Sequence, residues 1–173
     1  MSKQQVLDRP TIEGNIKWFV IVNPVAGSGK GLDDYPLISK LLRDNDIKCE
    51  AVFTEHKCHA TELTVSAIEA GYRHIIVVGG DGTLHEVLNG IADPTQCRLG
   101  LIPSGTGNDF AEKIGIPLDA EKAMERIFNS EAKDTDFLEV GGVRCMNVGG
   151  LGMDVDVLER CQKGKMNAKI FAK

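Results

Sequence analysis

Aromatic residues make up only 5% of this 173-residue chain, and Trp18 is its single tryptophan. No apolar run approaches the roughly 18 to 20 residues that a membrane-spanning helix requires. The amino-terminal stretch MSKQQVLDRPTIEG has no apolar centre and does not fit a secretory signal. Cysteine is sparse and unpaired. Cys49, Cys58, Cys97, Cys145 and Cys161 are odd in number and scattered, with no C-x-x-C pair. That pattern excludes a disulfide framework and fits a reduced, cytoplasmic protein. A formal net charge of -5 leaves no surplus of cations for a broad nucleic-acid-binding face. Repeats and low-complexity segments are also missing.

What remains is the composition of an ordinary globular protein, 42% hydrophobic and 26% charged. The length suits one domain, or one domain and part of another. Nineteen glycines exceed ordinary usage, and they cluster, so they act as local backbone devices. Residues 1–14 are polar, and the sequence predicts a flexible lead. Trp18–Val22, Ile75–Val78 and Leu99–Ile102 are short continuous apolar runs, expected as buried strands, and Lys48–Phe53 alternates as a fourth strand. Helices are predicted over Pro36–Arg43, with Pro36 in the first turn, and over His59–Ala70, with Gly71 as its stop. Others follow at Leu84–Ile91, Asn108–Ile114 and Asp119–Phe128. Strands that alternate with helices and carry no polar face predict an α/β fold, a parallel sheet covered by helices on both faces. Near Lys133 the pattern changes. Asp136–Val140, Gly141-Gly142 and Val143–Val148 predict a two-residue hairpin. The expected organisation is a domain over residues 15–133 and the truncated start of a β-rich second domain over 134–173. A half-formed second domain exposes apolar edges and favours pairing into a homodimer.

Three glycine-rich loops stand at the carboxyl ends of predicted strands, where α/β sheets bind ligands. The most specific is Gly79-Gly80-Asp81-Gly82-Thr83, between a buried strand and a helix. Its glycines allow a sharp turn and close approach of a ligand. Amide groups at the following helix start can hold phosphate oxygens. An aspartate there would repel bare phosphate, so Asp81 makes sense beside Mg²⁺ or a proton to be transferred. A plain tight turn is the competing explanation. Asn23-Pro24-Val25-Ala26-Gly27-Ser28-Gly29-Lys30-Gly31 fails the P-loop pattern at Pro24 and Gly31 and the dinucleotide pattern at Leu32. In Pro103-Ser104-Gly105-Thr106-Gly107-Asn108-Asp109-Phe110, Ser104 and Thr106 offer hydroxyls, and Asn108 or Asp109 is suited to cap the next helix. Glu86 falls about one turn from Gly82, within reach of the glycine loop. His56-Lys57-Cys58-His59 has no second pair at zinc-like spacing, so no metal-ligating set is assigned. Arg160, Lys163, Lys165, Lys169 and Lys173 make a basic tail, expected as a solvated end.

Taken together the loops resemble the diacylglycerol kinase catalytic-domain family, which includes bacterial diacylglycerol kinases and the related sphingosine and ceramide kinases. The matching residues are Asn23-Pro24 with Gly27 and Gly29, Thr54 with His59-Ala60, and Gly79–Thr83 running into Glu86-Val87-Leu88-Asn89-Gly90. Ser104 to Ala111 completes the set. The likeness spans residues 16 to about 160. Gly79–Gly82 alone also fits NAD kinases and phosphofructokinase-like proteins, and the Ser104–Ala111 segment is what points to lipid kinases.

The resemblance implies a two-domain, ATP-dependent lipid kinase with ATP between an α/β domain and a β-sandwich. It implies ATP contacts from Thr54, from Gly79, Gly80, Asp81, Gly82, Thr83, Leu84 and His85, and from Thr106. Asn23, Glu86, Ser104 and Gly105 stand near them, and Asp81 takes part in Mg²⁺–ATP positioning or proton abstraction. Asn147 to Asp154 resembles the opening of the second domain. In bacterial members most of that domain, a carboxylate cluster for metal and the proposed general base lie beyond the position of Lys173. Sphingosine kinases are thought to use the Gly-Asp-Gly aspartate itself as base. The expected partners are ATP and a hydroxylated lipid met peripherally at a membrane surface. NAD kinase and a non-catalytic ATP-binding module are the alternatives.

Overall fold

The computed structural model describes residues 16–147. Strands and helices alternate along them as β1 (Trp18–Val22), α1 (Lys30–Asp44), β2 (Cys49–Phe53), α2 (His59–Glu69), β3 (His74–Gly79) and α3 (Asp81–Gly90). There follow β4 (Arg98–Pro103), α4 (Asp109–Lys113), α5 (Ala120–Asn129), β5 (Leu138–Val140) and β6 (Val143–Cys145). The first four strands form one parallel sheet in the order β2-β1-β3-β4. Trp18 stands opposite Cys49 on one side and His74 on the other, and His74 opposite Arg98.

The strands are uninterrupted apolar runs because each face has its own helical cover. Phe19, Ile21, Ile75, Val77 and Leu101 point to one face and pack with Ala60, Ala67, Leu84, Val87 and Phe110 of α2, α3 and α4. Trp18, Val20, Val22, Ile76, Val78 and Ile102 point to the other and pack with Ile38, Leu42, Ala120, Ala123 and Met124 of α1 and α5. Successive side chains on a strand alternate in direction, so a sheet covered twice has no solvated alternate position. β2 is an edge strand and is only half-covered, with Cys49 and Glu50 exposed and Ala51, Val52 and Phe53 partly buried, so the alternation read from its sequence does not show in its burial. The α/β expectation is met, and so is Gly71 as the stop of α2, at φ 92°.

Three elements differ from expectation by more than one residue at a boundary. α1 begins at Lys30, six residues before Pro36, so that Pro36 is an interior residue rather than part of the first turn. The glycines before it look like loop residues in sequence. In the fold Gly31 lets the helix pass over the Asn23 carbonyl, where a Cβ would stand 2.1 Å from the oxygen. α3 begins at Asp81, not Leu84, so half of the glycine loop is the first helical turn. The hairpin is shorter than expected, Leu138–Val140 and Val143–Cys145, with Gly141 and Gly142 at φ 59° and 80° in its turn. It is antiparallel, with Glu139 opposite Arg144. Val148 and the basic tail fall outside the described residues, as does most of Asn147–Asp154.

Candidate functional site

The chain extends the sheet ladder past the ends of β2, β1 and β4 before it turns. The Thr54 amide donates to the Val22 carbonyl, Asn23 to Val78 and Ser104 to Gly79, at 2.8 to 2.9 Å. Thr54, Asn23 and Ser104 therefore line up beside Gly79 along the carboxyl edge. Three of the four helices leaving this edge are entered through a left-handed residue: Gly29 before α1, Cys58 before α2 and Asn108 before α4. Only Gly80, before α3, is extended. Strained backbone of this kind concentrates at binding sites, because the surrounding fold must hold it in place.

The first loop carries the most of it. Gly27, Ser28 and Gly29 are left-handed in succession, at φ 56°, 61° and 108°. For Ser28 that geometry costs roughly 1–2 kcal/mol. Turns can present main-chain amides to an anion. Gly27 packs against the third loop so closely that a Cβ would stand 2.3 Å from the Ser104 carbonyl. Gly80 and Gly105 meet backbone to backbone, where a Cβ on Gly105 would lie 2.5 Å from the Gly80 Cα. Asn23 links the first loop to the second. Its Oδ1 accepts the Val25 amide at 3.2 Å, and its Nδ2 donates to Thr83 Oγ1 at 3.0 Å. The three loops form one continuous surface made largely of main chain.

Several side chains singled out by sequence hold this surface together rather than face outward from it. Asp81 accepts the Asp109 and Phe110 amides at 3.1 Å through its two carboxylate oxygens, and so caps α4 from another helix. Asn108 does not cap α4, since its amide is closed onto Gly105, accepting from its nitrogen and donating to its oxygen at 2.9 Å each. Ser104 is fully buried and donates to Asp34 at 3.0 Å, away from the open edge. Asp34 also pairs with Lys30. Thr83 and Leu84 are buried, Leu84 in the core. Glu86 is turned from the glycine loop to α2, where it accepts the Cys58 and Ala60 amides at 3.0 and 3.2 Å. Thr106 and His85 are exposed and Thr54 half-exposed.

His85 and Asp81 lie one turn apart and line a recess with Leu84 and Phe110. Its wall on the hairpin side is Cys145, the last residue of β6, with Met146 and Asn147 just past it. Sequence reasoning missed that wall, and also Asp34, because nothing local links either to a loop far away in the chain. For Mg²⁺ the donor set is compatible. A carboxylate has about four acceptor positions, and Asp81 has used two. Among the described residues, the one cluster of three metal-ligand types is elsewhere, His56, His59 and Glu62, with their donor atoms within 4.8 Å. There His59 Nδ1 already accepts the Glu55 amide at 3.0 Å.

The family model described as diacylglycerol kinase catalytic domain matches residues 17–140. A diacylglycerol kinase of Bacillus subtilis (strain 168) is 38% identical over 143 residues, 77% of this chain and 45% of its own length. One from Staphylococcus carnosus (strain TM300) is 31% identical over 139 residues, 80% of this chain and 45% of its own. A crystal structure of a diacylglycerol kinase from Bacillus anthracis str. Sterne superposes with a TM-score of 0.67 at 30% identity, covering 75% of this chain and 45% of that one. The chain thus spans less than half the length of these relatives.

Proposed function

Because the chain belongs to the diacylglycerol kinase catalytic domain family, we propose that it binds Mg²⁺–ATP on the carboxyl edge of its sheet, as the donor side of a kinase that phosphorylates the hydroxyl of a diacylglycerol-like lipid. The observation that carries this reading is the backbone junction of the three loops at Gly27, Gly80 and Gly105. Phosphoryl transfer asks a protein mainly for positioning and for stabilisation of charge. Amides of the left-handed first loop and of the first turn of α3 suit the phosphates. Thr54 and Thr106 stand at the rim with their hydroxyls available to the nucleotide. Asp81 is the carboxylate placed to hold Mg²⁺, which when bound offsets phosphate charge. His85 and Asp81 face the recess beside it, the position for the acceptor hydroxyl. The lipid would be met at a membrane surface. Among the described residues no helix is long and apolar enough to cross one.

Calorimetry with ATP and Mg²⁺ tests the donor half, and heat of binding is expected that Gly80→Val abolishes. No heat at millimolar ATP would sink the reading. Residues 1–173 correspond to less than half of the relatives, so little transfer of labelled phosphate to diacylglycerol micelles is expected from them alone. Robust transfer would refute that division of labour. Phosphorylation of NAD in place of lipid would move the chain to the alternative that shares Gly79–Gly82.

A further inference from the structure

β5 and β6 are three residues each, and Leu138, Val140 and Val143 are 63%, 74% and 53% exposed. A two-stranded hairpin of this size is at best marginal by itself. Yet its far end forms one wall of the recess opposite Asp81 and His85. Something must seat it on the rest of the chain.

Met146 packs against the core beside Leu84 and Phe110, and the hydrogen bonds concentrate on one pair. Asn89, in the last turn of α3, bonds the main chain of Arg144 in both directions. Its Oδ1 accepts the Arg144 amide and its Nδ2 donates to the Arg144 carbonyl, each at 2.9 Å. The side-chain amide thus takes the place of a neighbouring strand. Nδ2 also donates to the His85 carbonyl at 2.8 Å, which fixes its rotamer on the helix. The Arg144 guanidinium runs back over the carboxyl end of α3 and donates to the carbonyls of Ile91 and Ala92, the second at 3.3 Å. A cation is favoured at that end of a helix. Its Nε pairs with Glu139 Oε2 across the hairpin at 3.0 Å, and its carbon centre lies 5.7 Å from the Phe137 ring. The Arg144 side chain is only 19% exposed.

We propose that Asn89 and Arg144 are positioning residues, a latch that seats the β5–β6 hairpin on α3 and so sets the Cys145–Asn147 wall over the Asp81 site. The proposal rests on the kinase reading only for what that wall faces. Neither residue lines the recess, and both act through β6. One helix carries Asp81 at its first turn and the latch at its last, so the two ends move as one body. The sequence hides this role, because an asparagine late in a helix looks like a solvated or C-terminal residue.

Hydrogen exchange across 138–147 and the alkylation rate of Cys145, both mapped by mass spectrometry on the 173-residue chain, test the latch. Cys49 and Cys58 are exposed and serve as internal references. Asn89→Leu and Arg144→Ala should each accelerate both signals, by roughly ten- to a hundredfold for two lost hydrogen bonds of ordinary strength. Protection of β1 and β3 should stay unchanged. Asn89→Asp keeps the acceptor for the Arg144 amide and should fall between. Unchanged hairpin exchange in both Asn89→Leu and Arg144→Ala overturns the latch. The positioning claim has its own readout. Mg²⁺–ATP should slow Cys145 alkylation in the native chain, while Asn89→Leu binds ATP with a similar Kd and loses that protection. Equal protection in the variant overturns the claim. A chain that binds no ATP refutes the kinase reading, and the nucleotide-free measurements still decide the latch.

Discussion

Single residues in this molecule are constrained by main chain more than by side chains. Gly80 and Gly105 approach each other too closely for a Cβ on either. Gly80→Ala and Gly105→Ala should therefore each cost about 1–3 kcal/mol, the usual range for overpacking, measured by urea denaturation. Both should also weaken ATP binding. Asp81 has a structural duty beside its proposed chemical one. Asp81→Ala removes the cap of α4 and should cost about 1–2 kcal/mol. Asp81→Asn, which keeps one acceptor, should cost less. At the opposite end of the sheet, burial pushes the His74 imidazole below its ordinary range, and the nearby Arg98 adds to the shift. His74 packs against Trp18 with the rings tilted at 58° and their centroids 5.0 Å apart. Its folded pKa lies below the unfolded value near 6.5, so the unfolded chain binds the proton more readily. The resulting stability is present above that pH and is lost as pH falls through and below it. His74→Phe keeps the ring contact and cannot titrate. Its melting temperature should fall less than the native one between pH 7.5 and pH 5, and equal slopes would refute the assignment.

Elements carry the next set of constraints. α1 contains Pro36 in its interior, exposed, where it leaves the Leu32 carbonyl without its helical donor. An interior proline costs about 3 kcal/mol relative to alanine. Pro36→Ala should accordingly stabilise the chain, by roughly 1 to 3 kcal/mol since water partly satisfies that carbonyl, read as a rise in melting temperature. A fall would mean that the ring is needed where it is. The two misplaced helix starts share one cause. Local propensity places glycines outside helices, whereas Gly31 and Gly82 lie inside α1 and α3. α2 and α4 illustrate a second rule. Neither is capped by its own N-cap side chain, and each borrows a carboxylate from α3, Glu86 for α2 and Asp81 for α4. α3 is thus the element that ties the glycine loop, its two neighbours and the hairpin together.

At the scale of the whole molecule, two cores on the two faces of one parallel sheet leave its carboxyl edge free to collect loops. Apolar runs and their alternation settled the α/β class and the positions of the four parallel strands, because burial on both faces of a strand demands an uninterrupted apolar run, and the Gly141-Gly142 pair settled the hairpin. The three loops, and the family to which the chain belongs, were legible from glycine spacing and from Ser104–Ala111. Tertiary structure decided what the polar residues do. Asp81, Glu86, Asn108 and Ser104 are each committed to a backbone or side-chain partner, and for Asp81, Glu86 and Ser104 that partner is distant in sequence. A hydrogen bond between residues 28 or 70 positions apart leaves no local pattern, since its partners are brought together only when the sheet and its helices have packed.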